Sequence, residues 1–122
     1  MTSPPSETVI LGRLKKRPEF VRLNKEGQRW TAPGMTVQTA AHDEGPETIR
    51  FGLTITKKIY KEAVKRNRIR RRLRALAMAI LPEHGRPGHD YVLIGRAATL
   101  DRPYDDLKKD LLWCLKKLHQ NT

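Results

Sequence analysis

Between Ile49 and Ile55 every second residue is apolar. Ile49, Phe51, Leu53 and Ile55 share one side, which predicts a strand over 49–56 with one buried face. A weaker alternation through Met35, Val37 and Thr39 predicts a strand over 35–41, followed by a loop at 42–47 marked by Asp43, Gly45 and Pro46. After residue 61 the period changes. Ile69, Leu73, Leu76, Ala77 and Ile80 stand at offsets 0, 4, 7, 8 and 11, one stripe of a helix that begins between Lys61 and Val64 and ends at Ile80. Pro82, Gly85, Pro87 and Gly88 are the expected stop.

Leu107, Leu111, Cys114, Leu115 and Leu118 repeat the same spacing in a last helix. Asp101 or Thr99 is its expected cap, with Pro103 near the start and Asp105 and Asp106 in the first turn. Tyr91 to Ile94 is an apolar run of strand length, and a short helix from Pro18 to about Lys25 places Phe20 and Leu23 on one face before Gly27 ends it. The order α-β-β-α-β-α, with room for one more short strand near 28–33, predicts a two-layer α/β (α+β) sandwich. In it a small mixed sheet carries helices on one face and leaves the other partly open. Residues 1–12, with Pro4, Pro5 and Ser6, read as a flexible lead-in, 13–119 as a single domain and 120–122 as a tail.

Composition narrows the class. A chain of 122 residues that is 38% hydrophobic holds one modest core. No apolar run nears the roughly 18 residues of a membrane span. Met1 to Thr8 carries no positive charge and leads into no long apolar stretch, so no secretory signal is expected. The single cysteine, Cys114, excludes an internal disulfide and a multi-cysteine metal site, and its place on the apolar stripe marks it as a small buried hydrophobe. A soluble cytoplasmic protein is the expectation.

Charge changes the picture most. Of a net +12, Lys57 to Arg74 carries +9, from ten Lys/Arg against Glu62 alone. Arg13 to Arg29 carries +5, which leaves the remaining residues at −2. Two basic blocks on a nearly neutral scaffold are the footprint of a polyanion binder. Arginine suits that role, because its planar fork grips phosphate through paired hydrogen bonds. On the helical wheel Asn67, Arg71 and Arg74 project opposite the apolar stripe, with Arg68 and Arg70 on its flanks. Like charges at neighbouring helical positions repel, a cost that a phosphate-rich partner explains and a structural role does not. Asn67 suits an RNA contact or a helix cap equally well.

The string Arg66-Asn67-Arg68, followed by Ile69 and the basic run to Arg74, resembles the "RNR" signature of the bacterial ribonuclease P protein. Three more blocks fall in order around it. RLKKRPEF at 13–20 is similar to that family's N-terminal RLKK-x-x-x-F, FGLTITKK at 51–58 to its strand running into paired lysines, and DYVLIGR at 90–96 to its last strand. The resemblance implies a small α/β domain, like the second domain of ribosomal protein S5, with a left-handed strand-helix-strand crossover against the right-handed default. It implies a protein subunit that binds a large catalytic RNA and the 5′ leader of precursor tRNA, while the RNA holds the active site and its Mg2+. Carried across, Lys57, Lys58, Arg66, Asn67, Arg68, Arg70, Arg71, Arg72 and Arg74 would touch the catalytic RNA, and Phe20, with Lys16 and Arg17, the leader. Asn24 and Gln38 stand where relatives often carry aromatics, and the link from Lys58 to Arg66 lacks the family's glycine. Trp30 is either core or a replacement aromatic surface.

Other chemistry finds little support. The acids Asp43, Glu44, Asp101, Asp105 and Asp106 occupy loops and helix ends, as dipole complementation and solubility explain, so no catalytic or metal-binding residue is expected in the protein itself. His42, His84, His89 and His119 lack zinc-ligand spacing, and His84 and His89 are expected to be solvated. The competing class is a structural, ribosomal-type RNA-binding protein with no part in cleavage. A DNA-reading helix over 65–79 is disfavoured, because no helix-turn precedes it, and neither DNA nor a membrane is an expected partner.

Overall fold

The structure, a computed structural model, describes residues 10–42 and 45–120. A five-stranded mixed sheet carries the fold: β1 (Ile10–Arg13), β2 (Gln28–Thr31), β3 (Met35–Ala41), β4 (Thr48–Thr54) and β5 (His89–Gly95), in the spatial order β1-β4-β5-β3-β2. β1, β4 and β5 run parallel; β3 is antiparallel to β5, and β2 to β3. Three helices join them: α1 (Arg17–Glu26), α2 (Ala63–His84) and α3 (Tyr104–Gln120), with a 3-10 turn at Ala97–Leu100.

Both apolar stripes land where their spacing puts them. Ile69, Leu73, Leu76, Ala77 and Ile80 of α2 and Leu107, Leu111, Cys114, Leu115 and Leu118 of α3 are all buried, in one core with Met35, Val37, Ile49, Phe51, Tyr91 and Leu93. Each fully buried aliphatic chain contributes about 1.5–3 kcal/mol relative to exposure. Burial drives the Cys114 thiol up to about 12, so it is an uncharged core atom.

Two boundaries and two side-chain placements differ from expectation. The fold opens at Ile10, not residue 13, because 10–13 zip in parallel onto 48–51 of β4 and Leu11 packs on the core; residues 1–9 lie outside the described residues, as do the loop residues Asp43 and Glu44. α2 continues through Pro82 to His84. A proline there removes the N–H that would reach the Met78 carbonyl, and Met78 is on the solvent side of the helix, 57% exposed. The reward is a buried Leu81, whose carbonyl accepts the Gly85 N–H at 2.8 Å. Thr99 caps no part of α3. It is buried, its hydroxyl donating to the Gly34 carbonyl at 2.5 Å and accepting the Arg96 N–H at 2.9 Å. His89 is half-buried rather than solvated, its ring edge-on to His119 at 5.8 Å.

The helices are also not all on one face. α2 and α3 cover one side, but α1 lies on the other, where Leu23 and Phe20 pack against Leu14, Val92, Ala40 and Ile94. The alternation of β5 explains this. Tyr91 and Leu93 serve the large core, so Val92 and Ile94 point the opposite way and need their own cover.

Candidate RNA-binding surfaces

Beside its apolar contacts, α1 is tied to the sheet by charge. Asp90 is fully buried and accepts three N–H groups: Arg50 Nε at 2.7 Å and Nη2 at 2.7 Å in a fork, and Arg22 Nη2 at 2.6 Å. Arg50 Nη1 reaches on to Glu19 of α1 at 3.0 Å, and Arg22 Nη1 to the Ala41 carbonyl at 3.0 Å. The other Glu19 oxygen accepts the N–H groups of Lys15 and Lys16, both at 3.1 Å, satisfying orphan donors at the helix start. Those backbone donors, foremost the one on Lys16, hold the Glu19 carboxyl below its ordinary value, with Arg50 adding to them.

Between α1 and the sheet runs a groove of about 420 Å³ lined by Arg17, Phe20, Val21, Asn24, Gln38, Thr54, Thr56 and Ile94. Phe20 lies within it, Arg17 on its rim, and Lys16 is exposed one residue before α1. Asn24 and Gln38 meet there: Gln38 Nε2 donates to Asn24 Oδ1 at 2.8 Å, and Arg29 Nη2 donates to the same oxygen at 3.3 Å. A polar bridge from α1 to β3 thus stands where aromatics were the alternative. Phe20 sits over Gly52 of β4, and a methyl group at that glycine would lie 2.5 Å from two of its ring carbons. Gly52→Ala, which would also crowd the Leu14 Cβ at 3.2 Å, is therefore expected to displace the Phe20 ring and to weaken capture of a single-stranded RNA segment several-fold, measured where circular dichroism shows the variant folded. Unchanged RNA affinity would show that Phe20 plays no part in capture.

On the opposite face α2 presents its arginines. Asn67, Arg68 and Arg71 are exposed, and Arg70 Nη1 donates to Asn67 Oδ1 at 2.8 Å, so Asn67 orients an arginine and does not cap the helix. Lys57 and Lys58 occupy an exposed turn just before it. Two arginines turn inward: Arg66 donates to the Tyr60 and Lys61 carbonyls at 2.9 and 2.5 Å, and Arg72 to the Arg102 carbonyl. Arg74 is partly buried and its Nε has no hydrogen-bond partner. Among the described residues none of the arginines from 66 to 74 pairs with a carboxylate; the one ion pair on this stretch is Lys65–Glu62 at 3.5 Å. The glycine-less link is braced by its own residues, with Tyr60 against the core and the Lys65 ammonium 5.0 Å from the centre of its ring.

The sequence reading did not find Arg22, Arg50 and Asp90 as a group, since they lie 40 and 68 residues apart along the chain. The one available signal was an aspartate opening an apolar strand, a position that demands a buried cationic partner. His119, near the end of α3, shares a 2.6 Å hydrogen bond between its Nε2 and the Tyr91 hydroxyl, and burial, with Arg86 nearby, lowers it to about 4. It therefore adds no charge to the surface near neutral pH. Among the described residues no three His, Cys, Asp or Glu side chains gather as a metal site, and no helix is long and apolar enough to cross a membrane.

A small α+β domain with an unneutralised arginine ridge on one face and a phenylalanine-lined groove on the other is an RNA-binding protein. The ribonuclease P family model matches residues 11–119, and this chain belongs to that family. It is 45% identical to the ribonuclease P protein component of Ruegeria pomeroyi over 122 residues, covering 95% of this chain and 96% of that one. The corresponding protein of Paramagnetospirillum magneticum is 44% identical over 111 residues, covering 88% and 83%. The solved RNase P protein of Staphylococcus aureus superposes with a TM-score of 0.73 at 27% identity, covering 88% of this chain and 94% of that one. The ribosomal-type alternative is not favoured.

Proposed function

We propose that this chain holds the catalytic RNA of ribonuclease P against the exposed arginines of α2 and guides the 5′ leader of precursor tRNA along the groove beneath α1, in the cytoplasm. The observation that carries the reading is that, among the described residues, no carboxylate pairs with Arg68 or Arg71, on a helix whose other face is fixed in the core. Lys57, Lys58, Arg70 and Arg74 extend the same contact; Arg66 and Arg72 shape its two ends through backbone carbonyls. Phosphate contact, not base reading, suits this ridge, because arginines dominate it and its amide, Asn67, has its oxygen engaged by Arg70. In the groove Phe20 offers a stacking face and Arg17 and Lys16 a cationic rim, the combination that holds single strands.

In this reading the protein performs no bond cleavage. Among the described residues the carboxylates do not cluster to hold magnesium, and Asp90, Glu19 and Asp110 are each held by arginine. The Mg2+ and the hydrolytic step belong to the RNA. The test mixes precursor tRNA with the protein alone, with its cognate RNA alone at low magnesium, and with both. Cleavage at the mature 5′ end by the pair only is the expected result; cleavage by the protein alone would overturn the division of labour. Replacing both Arg68 and Arg71 by alanine is expected to reduce the slope of log K against log salt by about 0.7 per lost contact where the RNA is single-stranded. An unaltered slope would remove the two side chains from the interface.

A further inference from the structure

On the α3 side of the sheet the indole of Trp113 is 43% exposed and meets Trp30 of the edge strand β2 edge-to-face, at 5.7 Å and 75°. Trp30 packs on the core and braces the pair from below. The residues one turn before and one turn after Trp113 on the helix surface are Lys109, Lys116 and Lys117. Among the described residues none of these lysines forms an ion pair, whereas Lys108 is taken by Asp105 at 3.8 Å. Asp110, one turn before Trp113, is turned inward and held by Arg102 Nε at 2.6 Å. An exposed aromatic ring ringed by uncompensated cations therefore stands apart from both surfaces assigned above.

We propose that this Trp113 platform stacks one unpaired nucleotide of the partner RNA, with Lys109 and Lys116 against its flanking phosphates. Base–aromatic stacking beside cationic chains is the usual grip on a single-stranded residue, and it tolerates any base. The partner RNA fits better than the substrate because α3 shares its face of the sheet with α2, and the groove under α1 is on the other. A second copy of the chain fits poorly. A two-fold contact here would set three lysines against their own counterparts. The inference rests on the reading that α2 binds this RNA.

The test uses full-length protein carrying Trp30→Phe, in which Trp113 is the sole remaining tryptophan of two. A ten-nucleotide oligoadenylate is expected to quench its fluorescence, and an RNA duplex with equal phosphates to leave it nearly unchanged. Trp113→Ala in the otherwise native chain is expected to weaken binding of the cognate RNA about tenfold with unchanged circular dichroism, and Trp113→Phe to restore most of it. Absence of quenching, or native affinity in Trp113→Ala, would overturn the proposal. So would sedimentation showing a dimer that Trp113→Ala dissolves, since the surface would then face protein. If the Arg68 and Arg71 replacements abolish binding while Trp113→Ala does not, this inference falls and the α2 assignment stands; the reverse pattern keeps Trp113 and removes α2.

Discussion

Replacing Asp90 with alanine is expected to destabilise the domain by about 3–5 kcal/mol, the usual consequence of stripping one partner from a buried ion pair. The carboxylate is fully buried, and the Arg50 side chain it leaves behind is only 17% exposed, so water restores little of the lost interaction. Urea unfolding followed by circular dichroism measures this as a lower midpoint. The effect extends past stability. Asp90 ties Arg22 of α1 to β5 and steadies the Arg50 fork that reaches Glu19, so without the carboxylate α1 loses its ion pair to β5 and its Arg50–Glu19 contact with β4 loses its support, which loosens the groove under it. Single-stranded RNA affinity is expected to fall even where the variant is fully folded. A loss below about 1 kcal/mol would show that the apolar contacts of Leu23 and Phe20 hold α1 unaided.

The second large effect is on the far side of the sheet. Leu73 has no exposed surface and lies at the centre of the α2 stripe, so Leu73→Ala is expected to cost about 2–5 kcal/mol through lost transfer energy and the cavity left behind. Arg71, two residues away in sequence, is exposed, and removing it with Arg68 is expected to change stability by less than about 0.5 kcal/mol. One helix thus separates two phenotypes by face: thermal melts report the leucine, and salt-dependent RNA binding reports the arginines. Equal stability losses from both variants would contradict the orientation of α2 on which the RNA-binding assignment depends.

Local pattern made much of this legible. Periods of two and of 3.6 placed β4, α2 and α3 with their buried residues, because each element faces one core and its apolar spacing has a single solution. β1 escaped, since four residues of mixed polarity form a strand only when a parallel neighbour pairs with them. The passage of α2 through Pro82 also escaped, because the cost of a proline in a last turn depends on what surrounds the freed carbonyl.

The candidate site divides along the same line. That α2 carries its arginines opposite its leucines follows from the chain alone, and with it the affinity for phosphate. Which arginines stay outward was settled by the fold: Arg66 and Arg72 find backbone carbonyls that exist only once the 60–61 turn and the start of α3 are in place. The groove is likewise tertiary. It requires α1 to cross to the second face of the sheet, where Glu19 and Arg22 of α1, Arg50 of β4 and Asp90 of β5 converge from three separate segments. A linear sequence records charge and periodicity, which act between near neighbours; it does not record which distant charges will share one dry site, because that is decided only when the strands carrying them lie side by side.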